Sequence, residues 1–174
     1  IVWILIPLLW GISNIKERST FLLSHWMKCA VAVIISGLII FIQLGYWKYA
    51  SGEWIVYSYG DQGFNFLHPA LKRGLIGANL GWWLYTPLML LAMPGWYLVY
   101  KKQKAIFWPT FITTILAIYI TLSWSHFESG GGLGQRNLIQ IYPLMAFPLA
   151  SVIYWFNTSS VGKWIWIAIL ALNI

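Results

Sequence analysis

Ala30-Val31-Ala32-Val33-Ile34-Ile35-Ser36-Gly37-Leu38-Ile39-Ile40-Phe41-Ile42 carries no charged side chain and forms the most apolar part of a stretch from about Phe21 to Trp47. A segment of roughly 20 apolar residues matches the thickness of a bilayer's hydrocarbon core. Inside that core the backbone must satisfy its own hydrogen bonds, so such a segment is read as a helix. Working outward, comparable stretches occupy Ile1 to Ile12 (a partial span), Trp82 to Tyr100, Ala105 to Trp124, Leu138 to Phe156 and Trp164 to Ile174. The expected fold is therefore all-α: a polytopic transmembrane helical bundle of about five to six spans, with two structured external loops. The whole chain, 1–174, is expected to form a single transmembrane domain. It opens on Ile inside one apolar run and ends inside another, without a basic n-region or a cleavage site, which reads as a piece of a longer chain rather than a signal peptide.

Composition points the same way. Apolar residues make up 60% and charged residues 9%, where a soluble domain carries roughly 25% charged. Thirteen Trp and ten Tyr suit a chain whose amphipathic rings rest at the headgroup level. The formal charge is +7, but the basic residues are scattered singly or sit in short loops, so they are read as orientation signals and not as a nucleic-acid footprint. The single cysteine, Cys29, lies in an apolar run. It reads as a small hydrophobe and has no internal disulfide partner.

Spanning helices alternate direction, which sorts the connections into two sets. Ser13 to Thr20, Lys101 to Lys104 and Asn157 to Lys163 hold Lys16, Arg18, Lys101, Lys102, Lys104 and Lys163 in few residues. The longer connections, Lys48 to Gly81 and Ser125 to Asn137, hold Lys48, Lys72, Arg73 and Arg136. The positive-inside rule places the first set in the cytoplasm and both long connections outside. Within the first long connection, Gly60-Asp61-Gln62-Gly63 reads as a turn and Pro69 to Leu75 as a short helix, so a folded cap is expected. Pro87, Pro94, Pro109, Pro143 and Pro148 lie in or near spans and are read as causes of irregular helix packing.

Two constellations carry chemistry. In the second long connection His126, Glu128, Gln135 and Arg136 surround Gly130, Gly131, Gly132 and Gly134. Glycines let a backbone bend and approach a ligand closely, successive amides can cradle an anion, and the planar fork of Arg136 suits a phosphate. The bland alternative is a flexible hairpin with a snorkelling arginine. The second constellation is Asp61 with Gln62, Asn65 and His68. Asp61 is open to several roles: pairing with Arg136, sharing a divalent metal with His68, contacting an acceptor, or simply sitting in a turn. The pair has no recognised metal-ligand spacing. Phosphate-binding loops of the Walker type, dinucleotide fingerprints, His-Glu-x-x-His and nucleophile elbows do not occur.

Phe64-Asn65-Phe66-Leu67-His68-Pro69, then Gly81-Trp82-Trp83-Leu84-Tyr85-Thr86-Pro87, then Trp124 and Gly130-Gly131-Gly132-Leu133-Gly134-Gln135-Arg136 ahead of a Tyr-Pro-Leu helix make an ordered series. Over about residues 55 to 150 this order resembles bacterial GT-C class membrane glycosyltransferases of the protein-mannosyltransferase-like and aminoarabinose-transferase-like branch. The resemblance implies a polyprenyl-phosphate-linked sugar donor and transfer on the outer side of the bacterial cytoplasmic (inner) membrane. It implies that Arg136 contacts the lipid phosphate and that Glu128, Asp61 and His68 line the cavity. It further implies a catalytic carboxylate in a first external loop upstream of Ile1. No nucleic acid is expected as a partner, only the lipid donor and membrane lipids, and no cofactor beyond an optional divalent metal. Two other readings stand beside it: a non-catalytic membrane subunit or transporter, and a polysaccharide polymerase or ligase using lipid-linked sugars.

Overall fold

A computed structural model describes residues 2–11, 15–57, 59–128, 134–158 and 160–172. The chain is helical: after a 3-10 turn at Val2–Ile4 come α1 (Leu5–Leu9), α2 (Ile15–Ser24), α3 (Trp26–Ser51), α4 (Leu71–Ile76), α5 (Trp82–Tyr85), α6 (Leu88–Lys102) and α7 (Lys104–Ser123), then a 3-10 turn at Arg136–Ile141, α8 (Tyr142–Thr158) and α9 (Ser160–Leu172). Among the described residues, β structure is limited to one isolated antiparallel bridge between Phe64 and Trp124.

Three segments are long and apolar enough to cross a membrane: Trp26–Ser51, Lys104–Ser123 and Arg136–Thr158. The stretch from Trp82 to Tyr100, expected to run as one span, is interrupted. Pro87 lacks an N–H and disfavours helical backbone at the residue before it, and Thr86 accordingly adopts φ −134°, ψ 65°. The 15 residues of α6 reach about 22 Å at 1.5 Å per residue, short of a hydrocarbon core of about 30 Å.

The chain divides into two compact units, Ile12–Gln62 and Ile1–Gly11 with Gly63–Ile174. The first contains α2 and α3. No residue in the apolar window of α3 is buried within the protein, and side chains such as Val33 and Ile42 are more than two-thirds exposed. Each such side chain gains about 1.5–3 kcal/mol on leaving water, and a contiguous apolar surface on this scale marks contact with lipid or protein. α3 ends on Gly52, whose φ of +81° closes the last turn through a bond from its N–H to the Lys48 carbonyl, 3.1 Å.

The second unit has the core. Trp82, Ala92, Trp96, Leu122, Leu138, Ile141 and Met145 are almost fully buried. α6 and α8 run side by side in the same direction: Gly95 lies against Pro148, and Lys102 lies over Tyr154. α7 runs opposite to both, with Phe107 and Phe111 packed on Trp96 at ring separations of 6.0 and 5.4 Å. Thr110, Thr113 and Thr114 of α7 are buried with their hydroxyls satisfied. Each hydroxyl donates to a carbonyl one turn back, at 2.6, 2.6 and 2.8 Å. The closest approach of α6 and α8 depends on Gly95, where a Cβ would overlap the Pro148 carbonyl. Gly95→Val is expected to lower stability by about 1–3 kcal/mol through overpacking, read as thermal melting of the purified protein in detergent. Unchanged melting would mean the two helices do not meet there.

Candidate functional site

The C-terminal end of α7 joins two segments that are far apart in sequence. The Asn65 N–H donates to the Ser123 carbonyl at 2.7 Å and the Ser125 N–H to the Gly63 carbonyl at 2.9 Å, which defines the bridge between Phe64 and Trp124. The Gly63 N–H donates to Ser125 Oγ at 3.1 Å, and the Ala70 N–H to the Leu122 carbonyl at 2.8 Å. The Tyr119 hydroxyl donates to the Phe66 carbonyl. α4 follows, with buried Gly74 pressed so closely on the Leu122 side chain that a Cβ would collide with it. The Gly63–Gly81 part of the first long connection and the start of the second thus form one folded cap over α7.

Ion pairing reinforces the cap. Arg73 of α4 pairs with Glu128, and its guanidinium lies 5.7 Å from the centre of the buried Phe127 ring. The side chains are 70% and 45% exposed, so the pair is worth at most about 1 kcal/mol. Its main effect is to occupy the Glu128 carboxylate.

Arg136 opens the 3-10 turn that leads into α8. Leu138 and Ile141, three apart on the inner side, are fully buried, while Arg136, Ile139 and Gln140 face outward. Arg136 then borders an open groove of about 380 Å³ shared with Phe64, Ile120, Thr121, Trp124, Asn137 and Gln140. Among the described residues Arg136 has no carboxylate partner. Asn137 is fixed by its Nδ2 donating to the Phe127 carbonyl at 3.1 Å, and the Gln140 Nε2 donates to the Asn137 carbonyl at 3.3 Å. The groove therefore combines one cation, two amides and a hydroxyl with two aromatic faces and an isoleucine.

Of the residues singled out in the sequence, Arg136 reaches this groove. Glu128 is on the cap, held by Arg73. His126 is exposed beside the bridge, its Nδ1 3.0 Å from Ser125 Oγ and its ring 6.3 Å from that of Trp124. His68 is exposed, its backbone N–H held by Asn65 Oδ1 at 3.1 Å. Asp61 is exposed in a turn of the other unit, closed by the Gln62 N–H on the Tyr59 carbonyl at 3.2 Å. Gly130, Gly131 and Gly132 lie outside the described residues. Gly134 has φ +77°, with Tyr85 Cβ 3.2 Å from where its own Cβ would stand. Gln135 is 4% exposed, yet neither atom of its side-chain amide has a hydrogen-bond partner among the described residues. Phe64, Thr121, Trp124 and Gln140 were not assigned to the site from sequence.

Among the described residues no three His, Cys, Asp or Glu side chains converge to hold a metal. The chain matches no protein-family model, no curated protein and no solved structure.

Two outcomes follow for the loop. Gly134→Ala forces an L-residue into left-handed backbone and should cost about 1–2 kcal/mol, measured by thermal melting. Gln135→Met removes a buried unsatisfied amide and should hold or raise stability, since such a group costs about 1–3 kcal/mol. A clear loss on Gln135→Met would show that the amide is satisfied in the native protein.

Proposed function

We propose that the chain is part of an integral membrane glycosyltransferase of the GT-C type, with Arg136 holding the phosphate of a polyprenyl-phosphate sugar donor. The observation that carries this reading is an arginine with no carboxylate partner among the described residues, set in a groove with amides on one side and Phe64, Trp124 and Ile120 on the other. A guanidinium fork offers paired N–H donors to a phosphate. As the sugar leaves, negative charge grows on that phosphate, and a positioned cation beside it stabilises that charge. Gln140 and Thr121 offer hydrogen bonds to sugar hydroxyls, and the aromatic and aliphatic wall suits the first isoprene units of the lipid.

Orientation follows from charge. The unit's described ends differ in how densely they are charged: Lys101, Lys102 and Lys104 crowd into four residues at one, while Lys72, Arg73 and Arg136 are spread over the much longer cap at the other. The positive-inside rule favours the lysines in the cytoplasm and the groove on the outer face; the proposed setting, a bacterial inner membrane and a bundle of about five to six spans, comes from the family resemblance and the apolar runs. Glu128 is engaged by Arg73, so it is not assigned as the base that takes the acceptor's proton. Metal chemistry is given no step.

In full-length protein supplied with lipid-linked sugar, Arg136→Ala is expected to lower transfer about 100-fold or more, the usual effect of removing a charge-stabilising donor. Arg136→Lys should recover part of it, and Trp124→Ala should raise the apparent KM for the lipid. Normal transfer by correctly inserted Arg136→Ala would exclude the phosphate role. Product identity separates this reading from a polymerase or ligase that joins whole lipid-linked glycans, and movement of substrate without product would indicate a transporter.

A further inference from the structure

The opposite end of the second unit carries a different feature. α6 and α7 meet at a single residue, Gln103, whose N–H donates to the Val99 carbonyl at 2.7 Å while its own carbonyl accepts from the Ile106 and Phe107 N–H groups at 3.1 and 3.0 Å. This tight corner holds Lys101, Lys102 and Lys104 together, all exposed. Each ammonium rests over an exposed tyrosine: Lys101 4.7 Å from the centre of Tyr97, Lys102 4.4 Å from Tyr154, and Lys104 5.2 Å from Tyr100. Among the described residues none of the three has a carboxylate partner. From Gly63 onward the only acidic residue in the sequence is Glu128, and it is bound to Arg73 at the far end of α7.

Directly beneath the corner, α6 and α8 part to leave a groove of about 400 Å³. It is lined by Val99, Ala146, Phe147, Ala150 and Ser151, with Lys102 and Gln103 of the corner bordering it. The small side chains of Ala146 and Ala150, one turn apart on α8, leave the space open. Lys102 bordering the groove, with Lys101 and Lys104 on the same corner, and a largely apolar trough match the layout of a phospholipid: an anionic head, then an acyl chain.

We infer that this groove is a binding site for an anionic glycerophospholipid of the surrounding membrane, its phosphate at Lys102 with Lys101 and Lys104 alongside and one acyl chain over Ala146 and Ala150. The inference rests on the reading of the chain as membrane-embedded. It is independent of the Arg136 groove, so loss of sugar transfer and loss of lipid binding are separable results. Basic residues at the cytoplasmic surface are attracted to anionic lipid by about 1 kcal/mol each. Removing three therefore weakens binding about 100-fold.

The test is native mass spectrometry of the delipidated full-length protein titrated with phosphatidylglycerol or phosphatidylcholine. The wild type should retain phosphatidylglycerol in clear preference. The combined Lys101→Gln, Lys102→Gln, Lys104→Gln variant should lose that preference about 100-fold. Ala150→Trp, which fills the trough and leaves every charge in place, should lose it too, and Ala146→Leu serves if the tryptophan variant melts early. Lys72→Gln, which removes an exposed cation that lines neither groove, should retain it. Equal retention of the two lipids, or preference surviving the triple substitution, would overturn the site. Preference surviving both trough-filling variants would reduce it to a surface charge effect and overturn the groove. Displacement of phosphatidylglycerol by inorganic phosphate at matched concentration would show a site for a soluble anion instead.

Discussion

The paired backbone hydrogen bonds around Phe64 and Trp124 are the constraint on which the site depends. They join residues separated by four helices, α4 to α7, and the links between them, and they do so where α7 ends. Without them Phe64 has no fixed place opposite Trp124, and the wall of the Arg136 groove is lost. Backbone pairing of this kind is also what an irregular segment near a membrane needs, because its N–H and C=O groups must find partners away from bulk water. α4 and the Arg73–Glu128 pair then hold the cap against α7. The ion pair adds little energy on its own, and its value lies in engaging the Glu128 carboxylate.

Below the cap, the bundle works as a support. Trp82 is almost fully buried, and its indole N–H donates to the Tyr142 hydroxyl at 3.3 Å, linking the start of α5 to the first residue of α8. Leu138 and Ile141 anchor the 3-10 turn from within, so the neighbouring Arg136 is held by buried apolar contacts rather than by a salt bridge. That leaves its guanidinium available to an anionic ligand. The threonines of α7 bind their own helix, so the interior carries polar groups without presenting them to a ligand.

Much of the helical content was legible because apolar runs longer than a few turns have few alternatives in a greasy chain. The Ala30–Ile42 run falls inside α3, and Ala105 to Trp124 coincides closely with α7. The break at Thr86 was not legible as a break. Pro87 was readable as a kink, but a proline's local effect does not say whether the helix resumes in line. The site was half legible. Arg136 beside glycines is a local signal, and so is the positive φ that Gly134 adopts. The partner of Glu128 is not: Arg73 and Glu128 meet only because a long-range bridge brings α4 to the end of α7, and no spacing in the sequence encodes that. The groove's aromatic wall has the same origin. Phe64 and Trp124 are ordinary interface residues until the pairing sets them opposite one another.

The most direct measurement is therefore a cross-link. In a Cys29→Ser background, cysteines replacing Phe64 and Trp124 occupy directly opposed positions of an antiparallel bridge, a separation that a disulfide spans. Mild oxidation of native membranes should close that disulfide rapidly and protect both thiols from maleimide, with control cysteines at Leu67 and Ser125 remaining reduced. Two thiols at 64 and 124 that stay open to maleimide after oxidation would contradict the account, because the cap and the groove it forms would then not exist.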